Sequence, residues 1–398
     1  MTLSKTDSLA GTASNRIIVI NDVTDWTSEN KLTWFLSRHH TATLGFSIKT
    51  LSMSFNEKID AVTYFDMKQS PLISSIFMQD KWQVGALFAL QFGLRATKYE
   101  LHKRIYLEPR VGFKYNLTEN LALKGSWGVY DQFLFTTNDE NEILRIVDFW
   151  EPVSKTQKAQ SNQHFIVGIE RWMGEGFTGS TEAYYKPYSS ILDNNPANNP
   201  ADDADDFISG KGTAWGIEFL LKKTAGNLTG WLGYSYSFVE KRIDFNSDGQ
   251  IKHSQDEIYN PNYYRPHVGN LVLNYRINSK NAISLTWSLS SGQPYTPVVG
   301  KVYTQSGYGS MENPYSNLTT IYGPKNSARY PAYYRGDIGW LRDIHPFGIR
   351  GKFKVQVVNF TNHFNALFYS WDHSRSPSRV TAIGMFPIIP TMGVEFEL

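Results

Sequence analysis

Residues 85–133, GALFALQFGLRATKYELHKRIYLEPRVGFKYNLTENLALKGSWGVYDQF, decide the fold. In the first segment Phe88, Leu90, Phe92, Leu94 and Ala96 share one parity, and Gln91, Gly93, Arg95 and Thr97 share the other. The second segment sets Ile105, Leu107, Val111, Phe113 and Tyr115 against Glu108, Arg110, Gly112 and Lys114. The third sets Leu121, Leu123, Trp127 and Val129 against Lys124, Ser126, Gly128 and Gln132. Strict alternation over ten or more residues predicts β-strands with one apolar and one wet face. Strands of soluble sheets average about five or six residues. Segments this long, joined by a turn as short as 116–120, suit strands of roughly 9–11 tilted residues crossing a bilayer.

Working outward, the same pattern recurs on both sides. Trp215, Ile217, Phe219 and Leu221 alternate with Gly216, Glu218 and Lys222, and Ile283, Leu285, Trp287 and Leu289 with Ser284, Thr286 and Ser288. Nearly all charges fall on the wet parity, as lipid demands: Lys or Arg facing hydrocarbon at mid-depth costs about 2–4 kcal/mol. Short turns (37–40, 116–120, 173–176, 225–227, 278–281) alternate with long connections (56–70, 136–155, 189–209, 244–260, 291–329), the pattern of short periplasmic turns and long outer loops. About fifteen strands are expected, the last over 390–398. Residues 1–14 are expected to be disordered or the start of a strand, and 15–398 to form the barrel. Trp34, Trp82, Tyr115, Trp172, Trp231, Tyr275 and Trp340 lie close to short turns and are read as a girdle.

Composition narrows the function. A net charge of +2 with no Lys/Arg run gives no case for nucleic acid. Aromatic residues make up 15%, with 23 Tyr and 11 Trp, as an interfacial belt requires. Mean hydropathy is −0.37, and no apolar run approaches the roughly 18 residues of a membrane helix. Cysteine is absent, which removes disulfides and thiolate metal sites. The opening MTLSKTDSLAGTASN lacks an apolar signal-peptide core, so the chain is expected to be the downstream part of something longer.

Several stretches, in order along the chain, resemble the C-terminal part of a TonB-dependent outer-membrane receptor of the kind common in Bacteroidota. They are LEPRVGFKYNLTENLALKGSWGVYDQF, STEAYYKPYSSIL, GTAWGIEFLLKKTAGNLTGWLGYSYSFVEKR, YRPHVGNLVLNYRI, SSGQPYTP, RYPAYYRGDIGW, VVNFTNHFNAL and PTMGVEFEL. The terminal 393–398 is similar to the signal read by the barrel-assembly machinery, departing from it at Leu398, where an aromatic is usual. The resemblance implies an all-β, antiparallel transmembrane barrel of about 22 strands, of which this chain would supply an incomplete part, with the plug domain absent. It implies residence in the bacterial outer membrane and energy-coupled uptake of a scarce ligand: siderophore, oligosaccharide, peptide or cobalamin. The implied partners are outer-membrane lipid, the ligand, and a TonB-type complex acting through the plug.

Two other functions compete. One is a passive pore of the porin or fatty-acid-channel type. The other is a barrel-embedded hydrolase, which would need an acid/base cluster. No Ser/His/Asp arrangement, phosphate-cradling loop or His-rich spacing stands out, so no enzyme and no cofactor is expected. Candidate ligand contacts are the mouth tyrosines Tyr263, Tyr264, Tyr295 and Tyr333 and the wet-face cations Arg95, Arg110 and Arg335. Rings there could stack on a sugar or an aromatic chelator, or instead build the outer girdle. The cations could meet a ligand, or pair with neighbouring carboxylates. Residues 244–251, DFNSDGQI, match the first eight positions of an EF-hand loop, making Asp244, Asn246 and Asp248 candidate calcium ligands. The twelfth position is Gln255 where that loop has its bidentate Glu, and a plain Asn/Asp/Gly turn is the competing reading.

Overall fold

The computed structural model describes residues 2–4, 16–59, 62–137, 149–195, 206–245, 258–303, 318–372 and 379–396. Secondary structure there is β throughout, apart from one 3-10 turn at Pro346–Gly348. No helix is long and apolar enough to cross a membrane, which says nothing of strands. Among the described residues, eighteen strands belong to the largest sheet. Three of them, Thr2–Ser4, Val62–Gln69 and Ile258–Tyr259, only extend the ends of longer ones, and the other fifteen match the expected number. Most of residues 1–14 lie outside the described residues.

The chain forms two compact units. The first comprises residues 1–116, 124–165 and 186–211. In it Arg16–Phe35 pairs with His40–Ile59, which pairs with Leu72–Gln83, and Phe88–Tyr99 and Ile105–Thr118 follow. Register places Phe92 opposite Val111 and Leu90 opposite Phe113 on the apolar face, and Arg95 opposite Glu108 on the wet one. The apolar parity stands bare, with Leu44, Phe46, Ile76, Met78, Phe92, Leu94 and Val111 all exposed, because its solvent is lipid.

Alternation changes phase inside one strand. In His40–Ile59 the even residues Leu44, Phe46 and Ile48 are exposed and apolar; past Thr50 it is the odd ones, Leu51 and Met53, that are apolar, and both are buried. The outer interface lies between Ile48 and Leu51. Beyond it the outer face meets water, and the inner face packs a core of the soluble kind: Tyr99, Tyr106, Phe133, Phe135, Val153, Ala159 and Leu192. The Tyr99 hydroxyl donates to the Val153 carbonyl at 2.7 Å and ties the connection after Pro152 to these strands.

This flip corrects the expectation of a loop over 56–70. The sheet continues there, with Met53–Ile59 pairing Val62–Gln69 around a register shift between Glu57 and Lys58. Asp80 departs from the parity rule, opposite Ala42 and Phe92 on the apolar face. Its Oδ2 lies 2.7 Å from His40 Nδ1, and His40 stacks on Trp82 at 5.5 Å. The pair sits near the short turn, at interfacial depth, where a charge costs about 0–1 kcal/mol.

The second unit comprises residues 117–123, 166–185 and 212–398. Leu228–Arg242, His267–Arg276, Asn281–Ser290, Tyr333–Ile344, Gly351–Val358 and Ile389–Phe396 pair in succession. Short turns join one end; at the other stand small hairpins, Pro294–Tyr295 with Ala328–Arg329, Val298–Tyr303 with Leu318–Tyr322, and Ala366–Asp372 with Arg379–Gly384. The long connection expected over 291–329 therefore holds two of these hairpins. Trp231 leaves the expected girdle: it pairs with Val272, one position out of phase with Leu271 and Trp287, and so lies on the inner parity.

Candidate functional site

In the first unit the strands Phe88–Tyr99 and Ile105–Thr118 bring Arg95 and Arg110 to one carboxylate. Glu108 is buried, and its Oε2 lies 3.6 Å from Arg95 Nε while its Oε1 lies 3.6 Å from Arg110 Nη2. The same two oxygens accept the Thr97 hydroxyl at 3.2 Å and the Asp131 amide at 3.2 Å. Arg95 donates to the Ser75 hydroxyl at 2.9 Å, and the Arg110 guanidinium covers the Tyr130 ring at 4.6 Å. Of these, Arg95, Glu108, Arg110 and Tyr130 line a cavity of about 890 Å³.

The remaining candidates gather at the outer end of the second unit. Arg335 faces Asp337 with two hydrogen bonds, 2.8 and 2.6 Å, in the fork geometry of a bidentate pair. Tyr333 begins the same strand opposite Ser290. Tyr295 packs with Tyr330 and Tyr369 at centroid distances of 4.5 and 5.5 Å, and those two lie 5.0 Å apart. Tyr264 is 6% exposed, set edge-on to Phe238 beneath the Arg329 guanidinium. Burial pushes its hydroxyl above the usual tyrosine range. Its neighbour Tyr263 is 62% exposed.

Sequence reasoning passed over what organises this end. In the segment GPKNSARY, 323–330, Asn326 takes a positive φ of 52° and donates to the Asn260 carbonyl at 2.9 Å. Arg329 donates to the Gly292 carbonyl at 3.2 Å, and Lys325 caps Phe245 and Tyr259 at 5.2 and 5.0 Å. Asn359 is 1% exposed; its amide proton goes to Asp337, and its side chain donates to the carbonyls of His363 and Phe386 at 3.0 and 3.1 Å. The signal was present in VVNFTNHFNAL, whose asparagines 359 and 362 both take positive φ. Of the calcium candidates, Asp244 follows the strand Leu228–Arg242, while Asn246 and Asp248 lie outside the described residues. Among the described residues no three carboxylate, histidine or cysteine groups converge as a metal would need.

An inner face of paired charges, an outer face bare for lipid and ring-lined outer hairpins agree with a family model. The model for the TonB dependent receptor-like β-barrel matches residues 4–362. The chain belongs to the TonB-dependent receptor family. Its sheet has the barrel fold of that family, and it is an outer-membrane protein. No curated protein sequence matches it. Among solved structures, the ferric citrate transporter FecA in its unliganded form is similar at 12% identity, with TM-score 0.62, covering 97% of this chain and 56% of that one. FpvA of P. aeruginosa bound to a heterologous pyoverdine aligns at 13% identity and TM-score 0.62, over 99% of this chain and 51% of that one. BauA, the ferric preacinetobactin receptor of Acinetobacter baumannii, aligns at 12% and 0.58, over 99% and 56%. The chain spans about half the length of these TonB-dependent receptors.

Proposed function

We propose that this chain is the barrel portion of a Bacteroidota-type receptor that captures a scarce extracellular ligand and imports it by TonB-coupled transport. The observation that carries the reading is the outer end of the second unit, where Tyr295, Tyr330 and Tyr369 are held as one cluster and the segment 323–330 cross-ties the connections around it. A prearranged ring platform lowers the ordering cost of capturing a dilute ligand. Iron chelates lead the ligand classes, since the solved relatives are named for ferric citrate, pyoverdine and ferric preacinetobactin. A structural calcium ion held by Asp244, Asn246 and Asp248 is part of the same proposal; calcium should protect that connection from proteolysis, and cleavage unchanged by chelator would remove the ion from it. The uptake reading is tested in the native host. Deleting the gene should abolish growth on one limiting nutrient, and deleting TonB should do the same. Uptake that persists without TonB would place the chain among passive pores.

A further inference from the structure

We propose that the segment 385–388 and the asparagine knot that ties it, 359–365, lie in the hydrocarbon of the outer leaflet and bind its acyl chains. Asparagines there stand in for a missing ladder. This goes beyond the uptake reading and does not depend on it.

The last strand is too short to cross alone. Ile389–Phe396 spans about 23 Å of extended chain, or about 18 Å along the axis at a tilt near 40°, against an apolar band of about 25 Å. Its even residues Pro390, Met392, Val394 and Phe396 are apolar and exposed, Met392 at 82%. On the other parity Thr391 and Glu395 bond Gln356 and Lys354. The even series does not stop where the ladder stops. Ile388 and Phe386 continue it, both exposed, Phe386 at 72%. Carried on to Phe386, the stripe covers about 33 Å of extended chain, or about 25 Å along the axis, the whole band. Register gives the same level. Leu285, Ile338, Val357 and Pro390 form one row across four strands. Phe386 lies four residues outward of that row, and so does Leu289, the last exposed apolar residue of its own strand.

Backbone at that depth must be satisfied without water, since each unpaired N–H or C=O costs several kcal/mol. Residues 385–388 belong to no strand. Their partners are the asparagines of 359–365. The Met385 amide donates to the Asn365 carbonyl at 2.8 Å, the Phe386 carbonyl accepts Asn359 Nδ2 at 3.1 Å, and the Ile388 amide donates to Asn362 Oδ1 at 3.2 Å. Pro387 has no amide proton to place. Residues 359–368 and 383–390 contain no Asp, Glu, Lys or Arg, and Phe364 adds another exposed ring beside Gly384. In water the amides could bond solvent, and the bare rings would be an adhesive patch. Continuity with the lipid face selects acyl chains as the occupant.

The test uses the full chain, which has no cysteine of its own, purified from outer membranes and reconstituted in phosphatidylcholine vesicles. Spin labels go on Phe386→Cys and Ile388→Cys, with Met392→Cys as the lipid reference and Arg379→Cys as the water reference. Oxygen access at 386 and 388 should match that at 392. Access of a polar nickel chelate there should be at least about fivefold below that at 379, because polar solutes are excluded from hydrocarbon. Asn362→Gly tolerates the positive φ of 49° and removes the acceptor. Nickel access at 388 should then rise at least about twofold, as water follows the freed amide. Nickel access at 386 and 388 equal to that at 379 would put the segment in water. Low access of both oxygen and nickel would put it under a protein, a second copy included. Either result overturns the inference, and unchanged access at 388 in Asn362→Gly overturns the role given to the asparagines. If Phe386→Cys fails to fold, Ile388→Cys carries the test.

Discussion

Glu108 and Asn359 hold their surroundings by opposite means. Glu108 supplies charge between two guanidiniums, so Glu108→Gln turns one of its two accepting oxygens into a donor and leaves Arg95 and Arg110 facing each other uncompensated. Breaking such a buried arrangement should cost about 2–3 kcal/mol in urea unfolding from detergent, near the low end for buried pairs because water reaches the cavity. Arg110→Gln removes the more exposed partner and should cost no more than about 1 kcal/mol. Asn359 supplies hydrogen bonds from a left-handed backbone conformation, φ 51°. Asn359→Ala loses both side-chain donors and adds strain, while Asn359→Gly loses the donors but relieves the strain. Alanine should therefore lower the unfolding temperature more than glycine; the reverse order would show that the positive φ is not enforced. The ion pairs were half legible in sequence, since parity placed Arg95, Glu108 and Arg110 on one face. It could not say that one acid serves two bases, which depends on register.

Strands were legible where they separate lipid from water and illegible where they do not. Phe88–Tyr99 and Ile105–Thr118 could be read residue by residue because each position has only two solvents to choose between. Past Thr50 both sides of the sheet lie outside the bilayer, the apolar parity flips to Leu51 and Met53, and the pattern reads as broken although the ladder continues. The outer hairpins were hidden for another reason: their pairing is fixed by contacts such as Asn326 to Asn260, far apart in sequence. The lack of cysteine makes parity directly measurable. In single-cysteine variants Phe92→Cys and Gln91→Cys, a spin label at 92 should be reached by oxygen and not by aqueous nickel, with the reverse at 91. Equal access at both would contradict the assigned faces. Leu94→Arg, on the lipid parity, should cost about 2–4 kcal/mol, whereas Gln79→Arg, at the wet position opposite Gly93, should be nearly neutral.

For the whole molecule, short turns and long connections should differ in access from outside the cell. Protease added to intact cells should cut within 244–257 and leave 224–227 untouched; cuts at the turn alone would invert the orientation. Above the membrane the first unit rises as sheet. Trp26 and Trp34, both exposed on the even parity, are eight residues apart, about 20 Å along the barrel axis for strands tilted near 40°. That spacing is close to the apolar band of about 25 Å. Residues 16–25 thus stand wholly outside it, laced to 51–59 across a continuous register. What a phage or an antibody meets at this point of the cell surface is a two-stranded ladder, with residues 22–25 exposed in succession on its first strand. Sera raised against a linear peptide of residues 16–25 should fail to stain intact cells, while sera raised against the folded protein should stain them, because the determinant is assembled from two strands and exists in neither alone.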